Sequence, residues 1–148
     1  MVRLKTRYLL CEVLFEDGKV QDGATAYMLL NALKDSIEAN FGDVGLGAVA
    51  ASIQVKYFNP LTGMAIVRAS RDLAPMVWAA ATLVTALRKR TCLVRVVHVS
   101  GTIRLLQRRA IEFNRDAVRL LRAHKVLAAA ECETMAAAEE AQIAKLDA

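Results

Sequence analysis

Apolar and polar positions alternate along this chain of 148 residues in stretches that predict discrete elements. Val2 to Phe15 reads as a first strand, with Arg3, Lys5 and Arg7 on one side of its front end. Asp17-Gly18 supplies a turn, and a helix is predicted from Ala24 to Phe41, with Asp22 or Thr25 as its cap. Leu29, Leu30, Leu33, Ile37 and Phe41 form its core stripe, and Gly42 is a natural C-terminal stop. Gly42 to Gly47 then reads as a flexible loop; it lacks the Lys-Ser/Thr of a phosphate-binding loop. Two strands, Ala48 to Phe58 and Met64 to Ser70, flank Asn59-Pro60-Leu61-Thr62-Gly63, whose Pro and Gly suit a hairpin connection. Asp72 or Ser70 caps the next helix, with Pro75 in its first turn, where a missing N–H costs little. Its apolar face runs from Leu73 to Leu87, and Arg88-Lys89-Arg90 ends it favourably for the helix dipole.

The segment from Thr91 to Arg122 organises the rest. Leu93, Val94, Val96, Val97 and Val99 are the run of a buried strand, and Ser100-Gly101 break it. Either Ser100 or Thr102 can cap the long helix that follows. At about 100° per residue, Ile103, Leu106, Ala110, Phe113, Ala117 and Leu120 share one side of that helix. Arg104, Arg108, Arg115, Arg119 and Arg122 share the other, interrupted by Glu112. Free N–H groups at Gly101 to Ile103 would stabilise a phosphate. The order strand, helix, strand, strand, helix, strand, helix is the split ferredoxin-like or RRM-like plan: an α+β fold with an antiparallel sheet, packed helices and a C-terminal helical extension. Residues 1–125 are read as the RRM-like domain. Residues 126–148, rich in Ala and Glu, have helix propensity but no broad apolar stripe, and read as a frayed or partly disordered helical tail.

Composition alters this picture in three ways. The hydrophobic fraction is 55% with a mean hydropathy of +0.30, yet no apolar run approaches the ~20 residues of a membrane span. The excess apolarity is therefore read as surface for protein partners, not membrane. The net charge of +5 is uneven: residues 1–125 carry 19 Lys and Arg against 10 Asp and Glu, and residues 126–148 carry one Lys against five acids. A basic body with an acidic tail fits polyanion binding by the body. Cys11, Cys92 and Cys132 have no close spacing, which points to a reducing intracellular compartment.

RRM domains usually stack bases on sheet aromatics. The corresponding positions here are Leu9, Cys11, Val67 and Val97, so this is not an ordinary single-strand reader. Apolar residues on both sheet faces imply that the open face is covered, by the Thr102 helix or by a partner. RNA contact would then fall to helix ends, loops and basic edges, which grip backbone and shape. Arg104 and Arg108 are either a solvated basic face or an RNA contact; Arg3, Lys5 and Arg7 either blunt a sheet edge or meet RNA or a partner. Lys56, Arg68 and Arg95 could extend a basic patch. His98 reads as a structural histidine, His124 is alone, and no paired carboxylates or nucleophile constellation are visible. No catalytic or metal-binding residue is expected.

HVSGTIR (His98 to Arg104), followed by Gln107 and by FNR (Phe113 to Arg115), resembles the protein-subunit-five ("processing of precursor" five) family of ribonuclease P and ribonuclease MRP. The opening MVRLKTRYLLCE resembles the start of its eukaryotic members, and YFNPLTG (Tyr57 to Gly63) resembles its hairpin. The resemblance covers roughly residues 1–122. It implies the same sandwich fold and a non-catalytic, RNA-binding subunit that stabilises the catalytic RNA removing the 5′ leader of precursor tRNA. It implies that magnesium sits on the RNA and that the protein itself binds no cofactor. It further implies a barrel-like subunit of about thirty kilodaltons and a second small ferredoxin-like subunit as partners, precursor tRNA as an indirect one, and a nuclear and nucleolar location. Thr102, Arg104, Arg108, Arg115, Tyr57, Asn59, Lys56, Arg68, Arg95, Arg3, Lys5 and Arg7 are the RNA-contact candidates. Two other classes stay open: a protein-only scaffold within a ribonucleoprotein, and a small-molecule-binding ferredoxin-like regulatory domain, for which no polar cluster is evident.

Overall fold

Strand β1 (Thr6–Phe15) buries side chains on both of its faces, and the rest of the chain packs from it outward. Leu9, Cys11 and Val13 point to one side, Tyr8 and Leu10 to the other, as the period of two requires. The computed structural model describes residues 5–16, 23–124 and 129–146. After β1 come α1 (Ala26–Ala50), β2 (Gln54–Asn59), β3 (Met64–Ser70), α2 (Ala74–Thr82), β4 (Ala86–Leu87), β5 (Arg90–Ser100), α3 (Ile103–Ala123) and α4 (Ala129–Ala144). The antiparallel sheet has the order β2-β3-β1-β5-β4, which is the split ferredoxin-like arrangement expected from the element order. Leu9 sits opposite Val67 of β3 and Val99 of β5.

One sheet face carries the larger core, in which Leu9, Cys11, Val13 and Val67 meet Leu29, Leu33 and Ile37 of α1 and Val77 of α2. On the other face Tyr8, Leu10, Met64 and Ile66 lie beneath Leu106 and Ala110 of α3 and Ile143 of α4. The open face is therefore covered by the chain's own helices. Burial pushes the Cys11 thiol up to about 12, so it is a packing group and not a reactive one.

Four expectations change. Gly42 does not end α1: it takes a left-handed φ of 74°, kinks the helix, and the chain coils on to Ala50. Glycine meets that φ without a Cβ penalty, so the predicted loop over 42–47 is helical and β2 starts later than expected. Second, α2 is capped by Leu73 without a side-chain hydrogen bond, not by Asp72 or Ser70, and it stops at Thr82, so that Leu83 to Leu87 run instead into a short hairpin. Its tip is Arg88 (φ 51°) and Lys89 (φ 63°), two residues in the left-handed region that two-residue hairpins use. The basic triplet is thus a hairpin tip, not a helix end. Third, Leu120 is 61% exposed, because the buried line of α3 runs through Leu106, Ala110, Asn114 and Val118.

The fourth concerns the tail. α4 is not frayed: it folds back along α3, Ile143 is fully buried, and Gln107 Nε2 donates to the carbonyls of Ile143 and Leu146 at 2.9 Å each. A single large apolar anchor plus side-chain hydrogen bonds hold it where a broad stripe was absent.

Candidate nucleic-acid interface

Thr102 is the residue that sets α3 in place. Its backbone is extended, and its hydroxyl accepts from the Leu105 N–H at 3.4 Å. Ser100 holds the preceding turn by accepting from the Thr102 N–H at 3.2 Å, so that this N–H, expected to be free for a phosphate, is already engaged. No acidic residue lies in the first turn of α3, so the positive end of the helix dipole is left uncompensated there. Arg104 and Arg108 are exposed one turn apart, and among the described residues neither has an ion-pair partner. Arg119 pairs with Asp116 at 3.5 Å and Arg109 with Glu112 at 3.2 Å, both in solvent, where such pairs are weak.

The same end of the sheet gathers other predicted residues. The Arg7 guanidinium donates to the Thr6 carbonyl at 2.9 Å and lies against Gly101, at the entrance to α3. Lys5 is exposed just before β1, and its carbonyl accepts from the Arg71 N–H at 2.9 Å. Arg68 reaches Gln54 at 3.3 Å, while its Nε is buried without a hydrogen-bond partner. Lys5, Arg68, Thr6, Ser52 and Ser70 line a cleft of about 130 Å³. Lys5, Arg7, Arg68, Thr102 and Arg104 are thus brought to one end of the sheet by the register of β1 with β3 and β5. Arg71, absent from the sequence-based candidates, belongs with them; its position immediately after β3 was the available signal. Arg3 lies outside the described residues.

The remaining candidates are placed differently. Arg95 is paired across the strands with Glu12. Lys56 sits where the register of β2 and β3 shifts. Tyr57, Asn59 and Arg115 are engaged by α4. Asn59 donates to Glu139 and accepts from the Leu61 N–H at 2.9 Å. Arg115 holds Glu140 with two nitrogens, at 2.7 and 3.3 Å. Burial raises the Glu139 carboxyl above its ordinary range, partly countered by the nearby Asn114 amide; burial and the Glu139 charge also raise the Tyr57 phenol. Asn114, the middle residue of FNR, is fully buried, and although it lies close to Glu139 neither atom of its amide meets hydrogen-bond geometry. His98 lines a cleft of about 210 Å³ with Arg109, Glu112, Phe113 and Asp116. Among the described residues no group of three or more His, Cys, Asp or Glu could hold a metal ion.

The hairpin between β2 and β3 has a structural demand of its own. Gly63 adopts φ 74°, and a Cβ there would collide with the Val13 carbonyl oxygen. The Val13 N–H donates back to the Gly63 carbonyl at 2.7 Å. The glycine of YFNPLTG is therefore fixed by backbone packing.

Residues 7–111 match the family model described as Rpp14/Pop5 family. The chain belongs to that family. The match takes in the hairpin, β5 and the first half of α3, and stops before Asn114, Arg115 and α4. A Schizosaccharomyces pombe relative, ribonuclease P/MRP protein subunit POP5, is 40% identical over 127 residues, covering 80% of this chain and 91% of its own. An Arabidopsis thaliana protein, a probable POP5 subunit, is 38% identical over 122 residues, with 78% and 81% covered. The human POP5 subunit is 32% identical over 125 residues, with 82% and 77% covered. Among solved structures, a chain of yeast ribonuclease MRP superposes with a TM-score of 0.54 at 10% identity, covering 81% of this chain and 98% of that one. That likeness supports the family's fold.

Proposed function

We propose that this chain is a non-catalytic, RNA-binding protein subunit of ribonuclease P, shared with ribonuclease MRP. In that role it stabilises the RNA that removes the 5′ leader of precursor tRNA, in the nucleus and nucleolus. The observation that carries the reading is the pair Arg104 and Arg108, exposed and without an ion-pair partner among the described residues, beside an uncompensated helix N-terminus. Lys5, Arg7, Arg68 and Arg71 lie at the same end of the sheet. Guanidinium groups in that setting neutralise crowded phosphates and release their counterions. While α4 is docked, the contacts available are to backbone and shape, because the sheet face that an RRM would offer to bases lies under α3 and α4.

Magnesium belongs on the RNA in this account, and chemistry with it. Partner subunits, a barrel-like protein of about thirty kilodaltons and a second small ferredoxin-like protein, would cover the apolar side chains that this chain leaves in solvent. Tyr27 (71%), Val44 (88%) and Trp78 (47%) on the helical layer, with Leu93 (52%) at the far side, are prominent among these. Purifying the tagged chain from cells and sequencing the RNA that comes with it tests the proposal. Enrichment of ribonuclease P and MRP RNAs is expected; recovery of the protein partners without RNA after crosslinking would leave a scaffold role instead.

A further inference from the structure

We propose that the groove filled by α4 is a binding site for unpaired RNA, floored by Tyr57, Asn59, Gln107, Asn114 and Arg115, with Glu139 and Glu140 occupying it in place of a nucleotide. The inference rests on the RNA-binding reading above and extends it to a second surface. Its first support is a mismatch in the docked state. Both amide atoms of Asn114 and the Oε2 of Glu139 are buried outside hydrogen-bond geometry, so each gives up its hydration for no more than the close approach of the Asn114 amide to Glu139. A buried carboxylate whose hydrogen-bonded partner is the neutral Asn59 amide, not a cation, adds to that cost.

Charge geometry supplies the second support. Glu140 engages the Arg115 fork with two contacts, the arrangement a phosphate also makes. Glu139 lies on Asn59 and near Tyr57. The two carboxylates thus cover groups that would suit RNA: an aromatic ring for stacking, the Asn59 and Asn114 amides for base edges and a guanidinium for phosphate, while Gln107 is held instead by the carbonyls at the end of α4. Third, the apolar hold on α4 is small, since Ile143 is its one large side chain that is fully buried among the described residues.

The test is hydrogen exchange of this chain within its assembled protein complex, with and without saturating single-stranded oligouridine, with a fully paired RNA hairpin alongside. Amides of 129–144 should exchange faster with oligouridine and be unchanged with the paired hairpin. Glu140→Gln, which releases Arg115, should tighten oligouridine binding by about two- to fivefold, the scale of an exposed ion pair. Glu139→Gln, which removes the buried charge and so steadies α4, should weaken it. Unchanged or slower α4 exchange at saturating oligouridine would overturn the proposal, as would release of α4 by a protein partner but not by RNA. If Arg104→Ala/Arg108→Ala weakens RNA binding while α4 never moves, this inference fails and the RNA-binding reading stands. If no variant and no RNA form shows binding, both fail.

Discussion

Truncating Ile143 to Ala is the sharpest test of whether α4 is part of the folded body. Ile143 is completely buried against Tyr8, Leu10, Met64, Ile66, Leu106 and Ala110. Removing a fully buried Ile side chain down to Ala costs about 2–5 kcal/mol, depending on how far the site collapses. The loss is capped by the docking free energy of α4 itself, because once the helix has left, the side chain no longer matters. Even the lower figure changes an opening equilibrium by about 30-fold, at roughly 1.4 kcal/mol per decade. Native-state hydrogen exchange should therefore show amides of 129–144 losing about 30-fold protection or reaching free-peptide rates. Strands β1 and β3 start from a higher level and should stay well protected. The melting temperature should fall by about 5–10 °C for a chain of this size. If Ile143→Ala changes neither exchange in α4 nor the melting temperature, the helix is a loose extension of the fold and not a docked part of it.

Replacing Gly63 by Ala should lower the urea midpoint by an amount equivalent to about 2 kcal/mol or more, since it combines a left-handed φ with a Cβ driven into the Val13 carbonyl; an unchanged midpoint would refute this. The raised pKa of Glu139 means that the docked state binds its proton more readily than the undocked one. Docking should thus be firmest below the ordinary carboxylate pKa and weaken as pH rises through the raised value. Protection of α4, corrected for intrinsic exchange, should decline toward neutral pH in the wild type and lose that trend in Glu139→Gln; a rise would contradict the assignment. His98→Gln should leave the single-turnover cleavage rate of a reconstituted particle within about threefold at saturating magnesium, and a loss of several orders of magnitude with assembly intact would make His98 a participant in the chemistry.

Much of the architecture was legible because β1 alternates apolar residues to both faces and the element order admits few topologies. The arginine side of α3 also follows from periodicity alone. Gly42 misled because the same residue that ends a helix equally permits a left-handed kink within one, and only packing after it decides which. The apolar run Leu83 to Leu87 continues the period of α2, and no glycine marks the turn at Arg88-Lys89, so a hairpin there had no local signal. α4 was hidden for another reason. Ile143 is one apolar anchor among alanines, and the meeting of buried Asn114 and Glu139 with half-buried Asn59 is a tertiary event with no sequence period. The contact candidates split the same way: Lys5, Arg7, Arg68, Thr102 and Arg104 converge through strand register, while Tyr57, Asn59 and Arg115 lie under α4.

A salt titration of RNA binding by the assembled protein complex, comparing wild type with Arg104→Ala/Arg108→Ala, tests the central claim most directly. Both side chains point away from Leu106 and Ala110, so the fold should be unaffected. Each guanidinium removed from a phosphate should reduce the slope of log affinity against log salt by about 0.7–0.9. The double variant should therefore bind more weakly, with a slope shallower by roughly 1.5. Lysine at both positions should restore affinity only in part, since it keeps the charge and loses the planar fork. Superimposable slopes and midpoints for wild type and the alanine variant would mean that this face of α3 is merely solvated, and would contradict the account.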